Sequence, residues 1–292
     1  MIRRNRDARW QVDLTCIIMS ERDDELTRQV AGVASCNHRG RATALEFARR
    51  GYNLGLLDVL QDELQATAGE AIGLGAECVA ETCDLCSVEA SQAALQQIVQ
   101  HFGRLDVLVN NAAWRELKTM REISVESWER TLRICLTTPA FLSRWAAEVM
   151  QPQGSGVIIN VCSIMSRRGS GVSAAYPAVK GGLESLTYEL ASLYGRSGIR
   201  VLAVSPGAID TDLSNDYPGG EGQSLEAPLR QWSVSEIPLG RWGEPAEIAR
   251  VIAMLSSEDA SYMTGANVTV DGGWSHAHFP RDLLKRMKPD QF

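Results

Sequence analysis

Arg41-Ala-Thr-Ala-Leu-Glu-Phe-Ala-Arg-Arg-Gly-Tyr52-Asn-Leu-Gly-Leu-Leu-Asp58 joins a segment long enough for a helix to a short aliphatic run closed by an aspartate. A short apolar run bounded by turn residues predicts a strand buried on both faces. Leu105-Asp-Val-Leu-Val-Asn110, Gly156-Val-Ile-Ile-Asn-Val161 and Ile199-Arg-Val-Leu-Ala-Val204 have the same character. Helix-length segments at 61–72, 87–102, 125–150 and 174–194 separate them. Alternation of this kind predicts an α/β fold: a doubly wound parallel sheet with helices on both faces. No Pro- or Gly-rich linker and no internal repeat divides the chain, so a single domain is expected.

The rhythm breaks over about 209–242, which is rich in Gly, Ser, Pro and acids. It precedes a further helix at 245–255 and a last strand at 266–270. A long irregular segment after a strand's C-terminal end is where α/β proteins place substrate loops. The expected organisation is a polar extension over 1–27, one domain over 28–274 and a mixed polar and basic tail over 275–292.

The 292 residues carry 22% charged side chains and a formal net charge of -7, with no basic run to track a phosphate backbone, so no nucleic-acid partner is expected. No run of about 18 apolar residues occurs, so no membrane span is expected. Seven cysteines without a secretory signal suit a reducing, cytoplasmic setting better than a disulfide framework. Cys83-Asp-Leu-Cys86 has metal-like spacing but neither a second pair nor a nearby histidine, and no metal site is expected there. Arg3, Arg4, Arg6 and Arg9 suggest import, but Asp7, Asp13, Glu21, Asp23, Asp24 and Glu25 contradict it, since transit peptides are poor in acids.

The chemistry centres on Ser173-Ala-Ala-Tyr176-Pro-Ala-Val-Lys180, preceded by Ser163. Side chains four apart share a helix face. An ammonium beside a phenol favours the phenolate, which makes Tyr176 a candidate acid or base for the proton of an alcohol or ketone. Tyr-x-x-x-Lys recurs by chance in chains of this length, and its weight comes from the residues around it.

Those residues are Ser163, Asn110-Asn-Ala-Ala113, Pro206-Gly-Ala-Ile-Asp-Thr211, Pro238-Leu-Gly-Arg-Trp-Gly-Glu-Pro245 and Thr264-Gly-Ala-Asn-Val-Thr-Val-Asp-Gly-Gly273. In this order and spacing, over roughly 28–274, the chain resembles the short-chain dehydrogenase/reductase family. The resemblance implies a Rossmann-type fold with a dinucleotide at the C-terminal edge of the sheet. Gly40 would open the phosphate-binding helix. Asp58 would bind the ribose hydroxyls and repel a 2′-phosphate, favouring NAD over NADP. Asp84 and Leu85 match the adenine-contacting pair, Asn110 and Ala112 the cofactor wall, and Thr211 the residue that meets the carboxamide or a phosphate.

By the same resemblance Tyr176 exchanges the hydroxyl proton and Ser163 holds the reacting oxygen. Lys180 binds the ribose and polarises Tyr176. The implied activity is NAD-dependent oxidoreduction of a secondary alcohol or ketone. An NADPH-dependent 3-oxoacyl reductase and a catalytically impaired binding or assembly protein are the alternatives. Ile164, Met165, Trp114 and the 209–240 segment are candidate pocket walls, and Arg115 or Arg168 would suit an acidic or hydroxylated substrate. Phe141, Trp145, Leu186 and Leu190 spread apolar surface over two long helices that family members pair between subunits, so a homodimer or homotetramer is expected.

Two departures stand out. The family's Thr-Gly-x-x-x-Gly-Ile-Gly falls on Val33-Ala34-Ser35-Cys36-Asn37-His38-Arg39-Gly40, which keeps only the last glycine. A side chain at Ala34 or His38 obstructs the tight turn and the backbone approach to a pyrophosphate. The abrupt loss of pattern before Gly40 is what a shifted reading frame would produce, and resequencing the coding DNA decides that. Cys135, seven residues after Trp128, stands where the family has the asparagine of its proton relay, and a thiol is a weak donor and acceptor. It reads as a buried, inert thiol; no activating histidine is visible for a nucleophile.

Overall fold

The computed structural model describes residues 15–18, 29–33, 38–211, 213, 217 and 224–292, with side chains from residue 39 onward. Eight strands, β1 (Thr15–Ile18), β2 (Gln29–Val33), β3 (Tyr52–Asp58), β4 (Cys78–Thr82), β5 (Val107–Asn110), β6 (Gly156–Val161), β7 (Ile199–Pro206) and β8 (Ala266–Val270), form one sheet in the order β4-β3-β1-β2-β5-β6-β7-β8. The neighbours β2–β3, β2–β5, β3–β4, β5–β6, β6–β7 and β7–β8 are parallel. β1 joins antiparallel to β2, β3 and β5, within the stretch expected from sequence to be a polar extension.

Burial follows position in the sheet. Every residue of β3, β5 and β6 is buried, whereas the edge strands β4 and β8 are half-exposed. Central parallel strands covered on both faces must be apolar along their whole length, which is why these runs lack alternation. The helices α1 (His38–Arg49), α2 (Gln61–Gly73) and α8 (Pro245–Ser256) pack together on one face. On the other lie α3 (Val88–Phe102), α4 (Val125–Leu132), α5 (Thr138–Gln153) and α6 (Ala175–Tyr194). Starts are set locally: the hydroxyls of Ser87 and Ser124 accept the N–H groups of Ala90 (3.0 Å) and Ser127 (3.1 Å), capping α3 and α4.

Four sequence expectations change. The helix expected over 125–150 is interrupted by a π turn at Arg133–Thr137, an extra residue that a 3.6-residue period does not reveal. The irregular insertion expected over 209–242 contains α7 (Glu226–Glu236), and Asp210 and Gly243 close it by backbone bonds at its base. The tail holds a short exposed helix, α9 (Arg281–Met287). Gly40 sits inside the first turn of α1, which begins at His38 rather than at the glycine. Residues 34–37, including Ala34, lie outside the described residues, as does the side chain of His38.

Among the described residues no helix is long and apolar enough to cross a membrane, and no three His, Cys, Asp or Glu side chains converge on a metal position. Cys83 is buried against the hydroxyl of Ser91 at 3.7 Å, and burial pushes the Cys86 thiol up to about 11. Both are poor sources of thiolate.

Glu184, on α6, is a buried carboxylate held strongly ionised by its neighbours. Burial alone would raise its pKa. Bonds from Arg167, from Ser166 (2.7 Å) and from Tyr188 (2.7 Å) outweigh that and hold it at about 2. A depressed carboxylate stabilises the fold above its unfolded pKa and loses that contribution as pH falls toward the folded value. From pH 7 to pH 3 the loss from this one group is about 2 kcal/mol. Glu184→Gln should therefore show a shallower decline in urea midpoint over that window than the wild type. Parallel declines would mean that Glu184 is not held ionised by these bonds.

Candidate active site

The C-terminal ends of β6 and β7, the start of α6 and the base of α7 enclose a cavity of about 340 Å³. Ser163 lies two residues beyond β6 in extended backbone, and its hydroxyl accepts the N–H of Met165 at 3.2 Å, capping the 3-10 turn Ile164–Ser166. Tyr176 stands in the first turn of α6. Both side chains line the cavity, so the chain folds back over the 13 positions that separate them to bring the two hydroxyl-bearing groups to one wall.

Lys180, one turn further along α6, is only 1% exposed. Its ammonium donates to the carbonyl of Val161 at 2.7 Å and lies 5.7 Å from the centre of the Tyr176 ring. The lysine thus ties α6 to the end of β6 directly behind Tyr176. A buried ammonium has three donors, and one of them is committed here.

The wall beneath is held by a buried polar chain. The Asn110 amide donates to Ser143 Oγ at 3.0 Å and to Asn160 Oδ1 at 2.8 Å, and Asn160 donates to Thr187 at 3.0 Å. These bonds fasten β5 and β6 to α5 and α6. They turn Asn110's amide nitrogen into the protein rather than outward, so this residue positions the strand ends. Ala112 is buried two residues on.

Cys135 lies in the π turn with no exposed surface. Its sulfur accepts the N–H of Trp114 at 3.1 Å and faces the Trp114 carbonyl at 3.6 Å. The thiol therefore bridges α4–α5 to the loop after β5 by a donor and an acceptor contact, the two functions an asparagine amide also combines. The backbone distortion is present although the asparagine is not.

The other expected cofactor residues lie along the same sheet edge but outside the cavity wall. Asp58 ends β3, buried, with its carboxylate accepting the Leu60 N–H at 2.8 Å. Asp84 is exposed and accepts the Cys86 N–H at 2.9 Å; Leu85 is buried, and its carbonyl accepts from Thr138 at 2.7 Å. Gly40 is buried in the first turn of α1, and Thr211 is buried just past the Pro206–Ala208 wall.

Ile164, Met165, Arg115 and Arg168 line the cavity as expected, and Trp114 does not: its ring lies under the guanidinium of Arg130 at 4.3 Å. The 209–240 segment contributes Leu213, Tyr217, Leu229 and Trp232 to the wall, as expected, whereas sequence reasoning missed Arg39 and Trp274. Arg39 was findable, since it stands where the family's glycine pattern has an aliphatic residue. The tryptophans sit in Gly-, Ser- and Pro-rich surroundings with no periodic signal, and they meet edge to face at 5.9 Å only in three dimensions.

Residues 32–275 match the family model described as enoyl-(acyl carrier protein) reductase. The chain is 36% identical over 260 residues to the cis-4-hydroxycyclohexanecarboxylate dehydrogenase of Sinomonas cyclohexanicum, covering 88% of this chain and 99% of that protein. It is 30% identical over 259 residues to the cyclohexanol dehydrogenase of Acinetobacter sp. strain SE19, covering 88% and 98%. Among solved structures, the acetoin dehydrogenase YohF from Salmonella typhimurium superposes with a TM-score of 0.76 at 32% identity, covering 87% of this chain and 98% of that one.

Proposed function

Because the chain belongs to the short-chain dehydrogenase/reductase family, we propose that it interconverts a secondary alcohol and its ketone with NAD as hydride partner and Tyr176 as acid and base. The observation that carries this reading is the shared cavity. Ser163 and Tyr176 face one space whose wall continues through Pro206 and Gly207 to Arg39 in the first turn of α1. A space joining the proton-transfer pair to a helix N-terminus at the strand ends fits a dinucleotide laid along the sheet edge.

The residues that would hold it are Gly40 in the first turn of α1 for the pyrophosphate, Asp58 for the ribose hydroxyls, and Asp84 with Leu85 for the adenine. Ala112, Lys180 and Thr211 would frame the nicotinamide end, with Asn110 fixing the strand beneath. When bound, the nicotinamide supplies the carbon that takes or gives the hydride. Tyr176 Oη takes the hydroxyl proton in oxidation and returns it in reduction. Ser163 Oγ donates to the reacting oxygen and holds it in line with that phenol, where negative charge develops. Lys180, fixed by Val161 O, places its side-chain nitrogen behind the phenol. The Asp58 carboxylate disfavours a 2′-phosphate and so favours NAD over NADP.

Relatives named for 4-hydroxycyclohexanecarboxylate and for cyclohexanol put ring-borne secondary alcohols first among the substrates to try. Exposed Phe141, Tyr188 and Leu193 on α5 and α6 support a homodimer or homotetramer through these helices. Leu190 does not contribute to that face, since it is buried in the core.

Titrating NADH and NADPH while following the melting temperature tests the reading. At 100 times Kd a ligand stabilises by about 2.7 kcal/mol, which for a chain of this size is a rise of about 4 °C. NADH is expected to produce it at lower concentration than NADPH. No shift with either at millimolar concentration would leave the enzyme reading without its coenzyme and favour a binding or assembly role.

A further inference from the structure

The far wall of the cavity presents two guanidinium groups that no carboxylate answers among the described residues. Arg115, just beyond β5, donates to Tyr217 Oη at 2.9 Å and to the Leu213 carbonyl, with its guanidinium 4.7 Å from the centre of the Tyr217 ring. Its Nε–H is buried with no acceptor among the described residues. Arg168, in the loop after Ser166, donates to the Trp274 carbonyl at 3.3 Å and lies 5.1 Å from the centre of that ring.

Nearby arginines behave differently. Arg167 pairs with Glu184, Arg230 with Asp210 at 2.7 Å and Arg241 with Glu247 at 2.8 Å. Among the described residues neither Arg115 nor Arg168 has such a partner, and no Asp or Glu lines the cavity.

A guanidinium carries five N–H donors in a planar fork, and Arg115 spends two of them on the groups that hold it. The remaining N–H groups can give a carboxylate that enters the cavity two parallel charge-assisted bonds. Ile164, Val172, Leu229 and Trp232 give the cavity apolar wall as well as the polar groups of Ser163, Tyr176 and the arginines, and Arg39, Ser170 and Ser233 also line it.

On the reading of this site as one for alcohol and ketone oxidoreduction, we propose that the substrate is a hydroxy or oxo acid. Its carboxylate is held by Arg115, with Arg168 as a second cation. An apolar ring or chain separates that carboxylate from the carbinol that reacts. The carboxylate takes no part in bond making. The carbinol carbon gives its hydride to the nicotinamide of NAD⁺ and its hydroxyl proton goes through Tyr176 to solvent, so one alcohol and one NAD⁺ yield one ketone, one NADH and one proton.

The test pairs binding with turnover. Calorimetry with cyclohexanecarboxylate and cyclohexanecarboxamide, which match in shape and differ in charge, should show the acid binding the wild type at least about 30-fold more tightly, as a bidentate charged contact implies. Arg115→Gln should bring the ratio close to one, and the exposed Arg168→Gln should lower it about 3- to 10-fold. Turnover of cyclic hydroxy acids against their carboxamides should show the same preference, expressed in KM rather than kcat. Equal binding of acid and amide to the wild type overturns the carboxylate site whatever the turnover. Acid-selective binding lost in Arg115→Gln, with no oxidation or reduction of any alcohol or ketone by either coenzyme, keeps the carboxylate site and removes the redox reading instead.

Discussion

Tyr176→Phe is expected to lower kcat about 10³-fold with coenzyme binding retained, because positioned acid–base groups contribute roughly 10²–10⁴. The substitution deletes one oxygen and keeps the ring, which is 5% exposed and packed into the core beside the end of β6. The Lys180–Val161 bond does not involve the phenol, so the element that ties α6 to the sheet survives. What disappears is the phenol oxygen that shares the cavity wall with Ser163. Steady-state kcat and NADH fluorescence titration on the same preparation separate the two effects. A variant turning over within about threefold of the wild type would show that the proton leaves by another route, and the role given to Tyr176 would have to be abandoned.

The central strands were legible because physics leaves them little choice. Tyr52–Asp58 and Gly156–Val161 must be apolar throughout to be covered on both faces, and turn residues or an aspartate mark their ends. The proton-transfer pair was legible as spacing: a step of four positions from Tyr176 to Lys180 fixes one helix face, and Ser163 follows the end of the preceding strand. The π turn was hidden, since one extra residue in a long helix leaves the apolar pattern nearly unchanged. α7 was missed because Ser233 is its one buried residue, and Leu229 and Trp232 face the cavity rather than the core. A helix that buries little against the core carries almost no amphipathic stripe. The arginines were visible as residues but not as a site, because whether an arginine has a carboxylate partner depends on contacts far apart in sequence.

The other large effect falls on the scaffold. Gly198, in the turn between α6 and β7, has φ of 79°, and a Cβ built there would lie 2.0 Å from the carbonyl oxygen of Gly154 and 2.8 Å from its carbonyl carbon. Gly154 itself ends α5 in the left-handed region at φ 69°, so two helix exits meet backbone against backbone. No flexible side chain can move aside, and relief requires separating the α5–β6 and α6–β7 connections, which feed the strands carrying Ser163 and Pro206. Gly198→Ala is therefore expected to cost about 3 kcal/mol or more, of which roughly 1 is the left-handed backbone alone. For a chain of this length that is a fall in Tm of about 5 °C or more. Gly51→Ala supplies the comparison: φ is 86°, but nothing lies within 4 Å of the new methyl, so only the backbone cost applies, a fall of about 2–4 °C. If the two variants melt together, the close approach of Gly198 to Gly154 is not what demands a glycine. If Gly198→Ala falls well below Gly51→Ala, the contact between the two turns fixes how the strands reach the catalytic edge.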